Sequence, residues 1–204
     1  LFKATLFKLA DDDHVLFFMT HHIVWDGWSF DVLYAEISAL YEAYRTGHQP
    51  TLAPLAVTYG DYAQWHQDWL TSQELRDQID HWKKQFAPEK NLTSPVGDFP
   101  RTAGIEHVGG TSRLDVGQAQ LEELRALAKR AGTTTSIVIL AVYGALMSQW
   151  LREPMPAIGL PVRGRGTPEL DAVMGFFNNM LPVRFRVERS ASVLDWIRSV
   201  HSTM

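Results

Sequence analysis

The sequence predicts a mixed α/β (α+β) fold, because segments with strand periodicity and long segments with helical periodicity occur in both halves of the chain. Between the halves, residues 87–110 are rich in proline and glycine and show little periodicity, which is typical of a linker. We therefore expect two lobes, one formed by residues 1–98 and the other by residues 99–204.

The first half is expected to contain two strands followed by three helices. The strands fall at Phe2–Leu9 and Val15–Thr20, and the helices at Phe30–Tyr44, Thr58–Leu70 and Ser72–Phe86. Three consecutive aspartates form the turn between the strands. Ser29 is placed to be the N-cap of the first helix, and Thr58 with Asp61 resembles a capping box at the start of the second.

The second half repeats the mixture of strands and helices. Strands are expected at Thr111–Val116, Met155–Val162 and Leu181–Val187, and helices at Gln118–Ala131, at Thr135–Leu151 and after Ser192. The helix Thr135–Leu151 is apolar along most of its length, which predicts burial on most of its sides.

Composition excludes several classes of protein. The net charge is −4 and the basic residues are scattered, so the chain has no electrostatic footprint for nucleic acid. It has no cysteine, which excludes a disulfide framework and thiolate chemistry. No apolar run reaches membrane-spanning length and no signal-peptide pattern is present, which favours a cytoplasmic protein. The chain starts and ends inside periodic segments, at Leu1 and Met204, and we interpret it as an internal piece of a longer polypeptide.

The segment from His21 to Gly27 carries the candidate chemistry. Adjacent histidines at a strand end should point to opposite faces, so one should face a cavity and the other should pack into the fold. This alternation argues against a metal centre built on both rings. Histidine is a natural proton acceptor near neutral pH.

Asp26 and Gly27 follow at the corner between strand and helix. Glycine permits a tight turn there, and its N–H, near the start of the next helix, could donate to a developing oxyanion. The Asp26 carboxylate could hold the local geometry through an arginine elsewhere in the chain. Spacing alone leaves two interpretations open, a catalytic site and a hydrogen-bonded turn.

Four segments resemble, in order, the motifs of condensation domains of nonribosomal peptide synthetases, members of the chloramphenicol acetyltransferase-like superfamily. Residues 21–29 (HHIVWDGWS) are similar to HHxxxDGxS, 59–65 (YGDYAQW) to YxDYAxW, 159–165 (GLPVRGR) to GxPVxGR, and 174–181 (MGFFNNML) to IGFFVNTL. The resemblance implies a two-lobed sandwich, of which this chain would span the end of the N-terminal lobe and the start of the C-terminal lobe.

Members of this family join an acyl or peptidyl thioester on one carrier domain to an amine on the next. The resemblance implies that His22 is the active-site histidine, which accepts a proton from the amine or orients it, and that His21 is mainly structural. Asp26 is expected to turn away from the substrates and pair with Arg165, with Arg163 as the second choice. Gly27 would present its backbone to the reacting carbonyl.

Further residues are assigned by the same resemblance to the walls of a substrate tunnel between the lobes. Asn179 would line or brace the tunnel, and Trp25 and Trp28 would shape it. Trp25 is bulkier than the residue often found at its position, and 178–180 (NNM) replaces the usual VNT, which bears on substrate selection. The stripe formed by Tyr62, Trp65 and Trp69, by contrast, is interpreted as core packing from its helical spacing.

No bound cofactor or metal is expected, since the substrates arrive on 4′-phosphopantetheine arms of upstream and downstream carrier domains beside an adenylation domain. Alternatives to amide formation stay open: an acyltransferase with an alcohol acceptor, an epimerisation domain, or a silent domain that docks carriers. Residues 162–166 (VRGRG) lack the EGHGR-type stretch of epimerisation domains, and the histidine pair excludes heterocyclisation domains, which carry aspartate there.

Overall fold

The computed structural model describes residues 1–86, 94–99, 110–188 and 190–204 of the chain. It divides into two compact units, Leu1–Pro88 with Pro161–Leu181, and Glu89–Leu160 with Pro182–Met204. Of the predicted linker, residues 87–110, only 94–99 and 110 belong to the described residues. Segment Pro161–Leu181 joins the first unit although it comes late in the chain, so the units are not simple halves. The assignment of 1–98 and 99–204 to two lobes stays a prediction.

The first unit opens with an antiparallel hairpin. Its strands are β1 (Phe2–Lys8) and β2 (His14–Thr20), paired in a register that runs from Phe2 opposite Thr20 to Lys8 opposite His14. The aspartate-rich turn is confirmed, and in it the Lys8 ammonium pairs with Asp11 at 2.6 Å. The hairpin matters for the site because β2 delivers the chain directly to His21.

Three helices follow in the first unit, α1 (Gly27–Arg45), α2 (Tyr59–Trp69) and α3 (Gln73–Phe86). The capping box predicted for α2 is confirmed, since Thr58 and Asp61 cap one another's backbone N–H groups. The predicted N-cap of α1 is wrong. Asp26, not Ser29, is the cap, because the Asp26 carboxylate accepts the Ser29 N–H and the helix therefore starts earlier, at Gly27.

The second unit is built from α4 (Gln118–Ala131), α5 (Thr135–Leu151) and α6 (Val193–Thr203), which contact one another. Ser192 caps α6 as predicted. Buried apolar residues from these helices and from segments 157–162 and 179–185 share one core: Ala128, Ala131, Val138, Ala141, Ile158, Val183, Phe185, Ile197 and Val200. Burial of α5 on most sides is wrong, because Ile139, Val142 and Trp150 on its other side are exposed in this chain.

The predicted strands of the second half have mixed outcomes. Strands β3 (Ala157–Val162) and β4 (Asn179–Arg184) pair with each other, and both are displaced slightly from the predicted bounds. The strand predicted at Thr111–Val116 is wrong, since this segment is irregular and exposed. Its alternating sequence finds no partner strand among the described residues, and a strand without a partner leaves its backbone groups unpaired.

Gly144, in the middle of α5, is required by packing. An added Cβ would lie 2.3 Å from Cε2 of Phe185, whose ring is buried in the core. We expect Gly144→Ala to lower the free energy of unfolding by about 1–3 kcal/mol, because overpacking outweighs the helix propensity gained. Chemical unfolding measures this change. The control is Gly60→Ala in α2, whose Cβ meets only Thr58 Oγ1 at 3.5 Å. Equal stability of the two variants would contradict the prediction.

Within the described ranges, no single helix is long and apolar enough to cross a membrane. The pair α4 and α5 reaches the required length and composition only when both helices are taken together, and they meet at an angle of 95°.

Candidate active site

The carboxylate of Asp26 is the buried centre of the site. Its side chain is fully buried and accepts hydrogen bonds from Ser29 N at 2.9 Å, Ser29 Oγ at 2.8 Å and Phe177 N at 3.2 Å. The Ser29 hydroxyl also lies 3.0 Å from both the N–H and the carbonyl of Gly175. These contacts fasten the start of α1 to the segment that carries the fourth motif.

Arg165 neutralises this carboxylate, as predicted. Its Nη2 lies 3.1 and 3.2 Å from the two Asp26 oxygens, and Nη1 donates to the carbonyls of Leu170 and Val173, each at 2.6 Å. The guanidinium carbon sits 3.9 Å from the centre of the Phe177 ring. The Arg165 side chain is as fully buried as its partner, so the pair is shielded from solvent.

The second choice for the partner of Asp26 was Arg163, and it is wrong. Arg163 instead forms an ion pair with Asp171 and covers the Trp28 ring, with its guanidinium carbon 3.6 Å from the ring centre. Trp28 Nε1 donates to the Asp171 carbonyl at 2.9 Å. These three residues hold the loop after β3 against α1, which keeps Arg165 in place.

The charge of Asp26 is favoured by its surroundings. Burial alone would raise its pKa, but the hydrogen bonds from Ser29 and Phe177 and the Arg165 charge outweigh that effect, so the pKa lies below the ordinary value. Asp26 is therefore an ionised structural anchor at neutral pH, with no proton to give.

This lowered pKa predicts how stability depends on pH. The contribution of Asp26 is fully present above the ordinary carboxyl pKa of about 3.9 and is lost as the pH falls through the lower value of the folded state. We expect the free energy of unfolding to fall less steeply between about pH 5 and pH 3 in Asp26→Asn than in the wild type. Urea unfolding at several pH values measures both slopes. Equal slopes would show that Asp26 is not stabilised in its charged form.

Two glycines allow the loops around the ion pair to approach closely. Gly164 has φ +66°, and a Cβ there would lie 1.9 Å from the Phe177 carbonyl oxygen. A Cβ at Gly175 would lie 2.1 Å from the ring of Tyr59. The glycines of the third and fourth motifs are thus explained by contact with another motif rather than by contact with substrate.

The two histidines adopt an arrangement that strand alternation did not predict. The strand ends at Thr20, and His21 caps a 3₁₀ turn, His22–Val24, by accepting the Ile23 N–H at its Nδ1, 3.0 Å away. Both rings are exposed in this chain, so the expectation that one of them packs into the fold is wrong. The structural part of the His21 role is this cap.

The tautomer of His22 follows from its partner. Nδ1 lies 2.6 Å from the Trp25 carbonyl oxygen, which can only accept, so Nδ1 carries the proton of the neutral ring. The lone pair is then on Nε2, at the far side of the imidazole. The ring also packs edge-on against Phe176, with 5.4 Å between centres. The Phe176 carbonyl accepts a hydrogen bond from the Tyr59 hydroxyl at 2.8 Å, so three of the four motifs meet at this point.

The other predicted site residues lie around this centre. Gly27 is exposed at the first position of α1, its φ is not positive, and a Cβ there meets nothing within 4 Å. The backbone at this position therefore does not use the conformational freedom of glycine that was expected to permit a tight turn. Its N–H has no intrahelical acceptor, as for any first residue of a helix. The Trp25 ring packs between Phe18 and Phe30, and Asn179 is exposed at the start of β4.

A cavity of about 850 Å³ lies beside the site within the first unit. Its lining includes Tyr62, Trp65 and Trp69 of α2, which were predicted to be core residues. This prediction is wrong for Trp65, which is 57% exposed. Tyr62 does pack on a buried cluster with Phe177, 4.6 Å between ring centres. Asn179 lines the same cavity.

Sequence reasoning missed three residues that assemble the site. Ser29 was read only as a helix cap, although its hydroxyl joins Asp26 to Gly175. Phe176 and Phe177 belong to the fourth motif, but the sequence assigns neither a contact; in the structure Phe176 packs on His22 and Phe177 stacks on Arg165. The signal was available, since the serine recurs in the HHxxxDGxS pattern and the phenylalanines in the GFF pattern.

Comparison with family models and curated proteins gives a consistent result. The Condensation domain family model matches residues 1–204. The phosphinothricin tripeptide synthetase PhsC of Streptomyces viridochromogenes is 35% identical over 204 residues, covering 100% of this chain and 19% of that protein. The malpibaldin synthetase of Mortierella alpina is 34% identical over 203 residues, covering 100% of this chain and 4% of that protein. The chain thus spans a small part of the length of these relatives.

Solved structures confirm the predicted α/β fold. The X-domain from teicoplanin biosynthesis superposes with a TM-score of 0.84 at 27% identity, covering 99% of this chain and 46% of that one. The first condensation domain of the CDA synthetase gives a TM-score of 0.81 at 23% identity, with coverage of 100% and 45%. The epimerization domain from the third module of tyrocidine synthetase B gives 0.80 at 22%, with coverage of 98% and 45%. The last two structures are less than 25% identical to this chain, so their similarity shows only a shared fold.

Proposed function

Because the chain belongs to the condensation-domain family of nonribosomal peptide synthetases, we propose that it takes part in amide-bond formation between a carrier-bound acyl or peptidyl thioester and a carrier-bound aminoacyl group. The observation that carries the proposal is the His22 imidazole. Its Nδ1–H is held by the Trp25 carbonyl, and its Nε2 lone pair is therefore ready to meet an amine N–H.

In this reaction the acceptor nitrogen attacks the thioester carbonyl carbon. The C–N bond forms, the C–S bond breaks, and one proton must leave the nitrogen while the departing sulfur gains one. His22 Nε2 accepts the proton from the nitrogen, or holds that N–H in line for attack, and the thiolate is the final proton acceptor. Both roles need the same lone pair.

Asp26 supports this chemistry without touching it. Its carboxylate oxygens accept hydrogen bonds from Arg165, Ser29 and Phe177. These bonds fix the start of α1 and the His22 segment against the fourth motif. The N–H of Gly27, at the first position of that helix, is proposed as a donor to the oxygen of the tetrahedral intermediate. Open space over Gly27 Cα supports the approach of a substrate.

The proposed partners follow from the reaction. Donor and acceptor would arrive on 4′-phosphopantetheine arms of an upstream and a downstream carrier domain, with an adenylation domain nearby. The relatives support this proposal, since they are synthetases of which this chain covers only 19% and 4%. Asn179 and Trp25 are proposed as determinants of which acyl group is accepted. A cytoplasmic location is proposed on the same grounds.

A second candidate is a silent domain that docks a partner protein. It is favoured by the likeness to the teicoplanin X-domain, which has been solved in a complex with OxyB. The presence of both His22 and Gly27 argues for the catalytic alternative, because a docking surface needs neither a free imidazole lone pair nor an open helix N–H.

The test uses the natural full-length protein with donor and acceptor groups loaded on its carriers, and mass spectrometry of the carrier-bound products. We expect an amide-linked product on the downstream carrier. An ester formed only with a hydroxyl acceptor would point to the alcohol-dependent acyltransferases. Deuterium uptake at the donor α-carbon without transfer would point to epimerisation. Carrier binding without any reaction would support the silent docking domain and contradict the proposal.

A further inference from the structure

The cavity beside the site has an aromatic wall that the proposed reaction does not use. Along α2, the rings of Tyr62, Trp65, His66 and Trp69 form a continuous stack. Their centres are 5.6–6.3 Å apart, and the Trp65 and Trp69 planes are inclined by 22°. Residues of segments 164–170 and 176–179 complete the lining of the cavity. All four residues line the cavity, and the exposed face of an aromatic ring carries negative π density.

The charges of the lining have one sign. Two carboxylates, Asp61 and Glu169, line the cavity, and no lysine or arginine is among its described lining residues. Arg165 is not a lining residue, its charge is neutralised by Asp26, and its side chain is fully buried. Hydrogen bonds from Thr58 lower the pKa of Asp61, and hydrogen bonds from its own backbone and from Thr167 lower the pKa of Glu169, so both stay charged.

We propose that this cavity binds a substituted ammonium group, with the cation against the ring faces of α2 and with Glu169 as its countercharge. Aromatic surfaces combined with nearby carboxylates are the chemistry that selects organic cations over neutral groups of the same shape. The Asp61 carboxylate is hydrogen-bonded in the capping box of α2, so it would act on a bound cation only through its electrostatic field. Asn178 and Asn179 are also among the lining residues and add amide groups to the cavity. This inference does not depend on the amide-forming reaction.

The volume fits the assignment. About 850 Å³ is within the range of cavities that take small organic ligands, and it exceeds what a single metal ion or a water molecule needs. Trp65 remains 57% exposed, so its ring is free to contact a ligand without displacing another side chain.

The test is isothermal titration calorimetry on the natural full-length protein at pH 8. The probes are choline and 3,3-dimethylbutan-1-ol, which have the same shape and differ in charge. We expect choline to bind about tenfold more tightly than the alcohol, because only the cation gains from the ring faces and the carboxylate. Equal affinity would show a merely apolar cavity, and binding of neither probe would show no site; either result overturns the proposal.

Two variants locate the binding to this wall. We expect Trp65→Ala to weaken choline binding about fivefold or more and to reduce the preference over the alcohol. Glu169→Gln should weaken choline binding but leave the alcohol unchanged. The matched control is Trp150→Ala, which removes a tryptophan of nearly equal exposure, 58%, on α5. Choline binding that survives Trp65→Ala, or falls equally in Trp150→Ala, would overturn the assignment.

Discussion

Replacement of His22 by alanine is expected to slow acyl transfer by about 10²–10⁴-fold, which is the usual contribution of a positioned acid–base group. The substitution removes the Nε2 lone pair and the ring contact with Phe176, but no buried group, because the imidazole is exposed in this chain. The measurement is single-turnover formation of the carrier-bound product in the natural full-length protein, with carrier docking measured separately.

A second exposed histidine provides the control for this variant. His14 starts β2, at the end of the hairpin that lies away from His21. We expect His14→Ala to transfer the acyl group at the wild-type rate. If His22→Ala also transferred at that rate, the imidazole would have no chemical role and the chain would act by positioning the substrates alone.

Arg165→Met is expected to have the largest effect on stability, a loss of about 3–5 kcal/mol. The substitution leaves the buried Asp26 carboxylate without its counterion, and it frees the carbonyls of Leu170 and Val173. The destabilisation should appear first in the residues around the Asp26–Arg165 pair. Hydrogen–deuterium exchange should therefore show faster exchange at the Ser29 and Phe177 amides, which donate to Asp26.

The matched control for this prediction is Arg45→Met. Arg45 pairs with Glu42 at 2.7 Å, a shorter distance than in the buried pair, but both side chains are more than half exposed. We expect little change in stability, because exposed pairs are screened by solvent. A double variant, Asp26→Asn with Arg165→Met, should recover part of the loss. Equal losses for Arg45→Met and Arg165→Met would contradict the importance of burial.

Most helix boundaries could be predicted closely, because capping chemistry is local. The Thr58–Asp61 box and Ser192 before α6 lie where the sequence places them, and α4 has the predicted bounds Gln118–Ala131. The start of α1 was predicted wrongly although its cap is local. Aspartate and serine are about equally good N-cap residues, and it is Asp26, three residues before Ser29, that accepts the Ser29 N–H.

Burial was harder to predict than the type of element. The apolar composition of α5 indicates a helix correctly, but only one face is buried, where Val138 and Ala141 have no exposed surface. Composition reports how much apolar surface a helix has, and only neighbouring elements decide which face is covered. The predicted strand at Thr111–Val116 is wrong for the same reason, since a strand depends on a partner.

The Asp26–Arg165 pair was the best prediction for the site, and it came from the motifs rather than from spacing, since 139 residues separate the partners. The geometry of the histidines was predicted poorly. The end of β2 at Thr20 was predicted correctly, but the expectation extended the alternation of a strand to His21 and His22, where a 3₁₀ turn follows instead. The change from strand to 3₁₀ conformation alters the direction of both imidazole rings. The roles of His21, Gly27, Asn179 and Trp25 in the reaction stay predictions.

The central claim is that the lone pair on His22 Nε2 acts on the amine while Nδ1–H is held by the Trp25 carbonyl. His22→Asn tests it most directly, because the asparagine amide can still donate to that carbonyl but offers no acceptor at the Nε2 position. We expect single-turnover transfer by this variant to be as slow as by His22→Ala, with carrier docking unchanged. Transfer at the wild-type rate would contradict the claim.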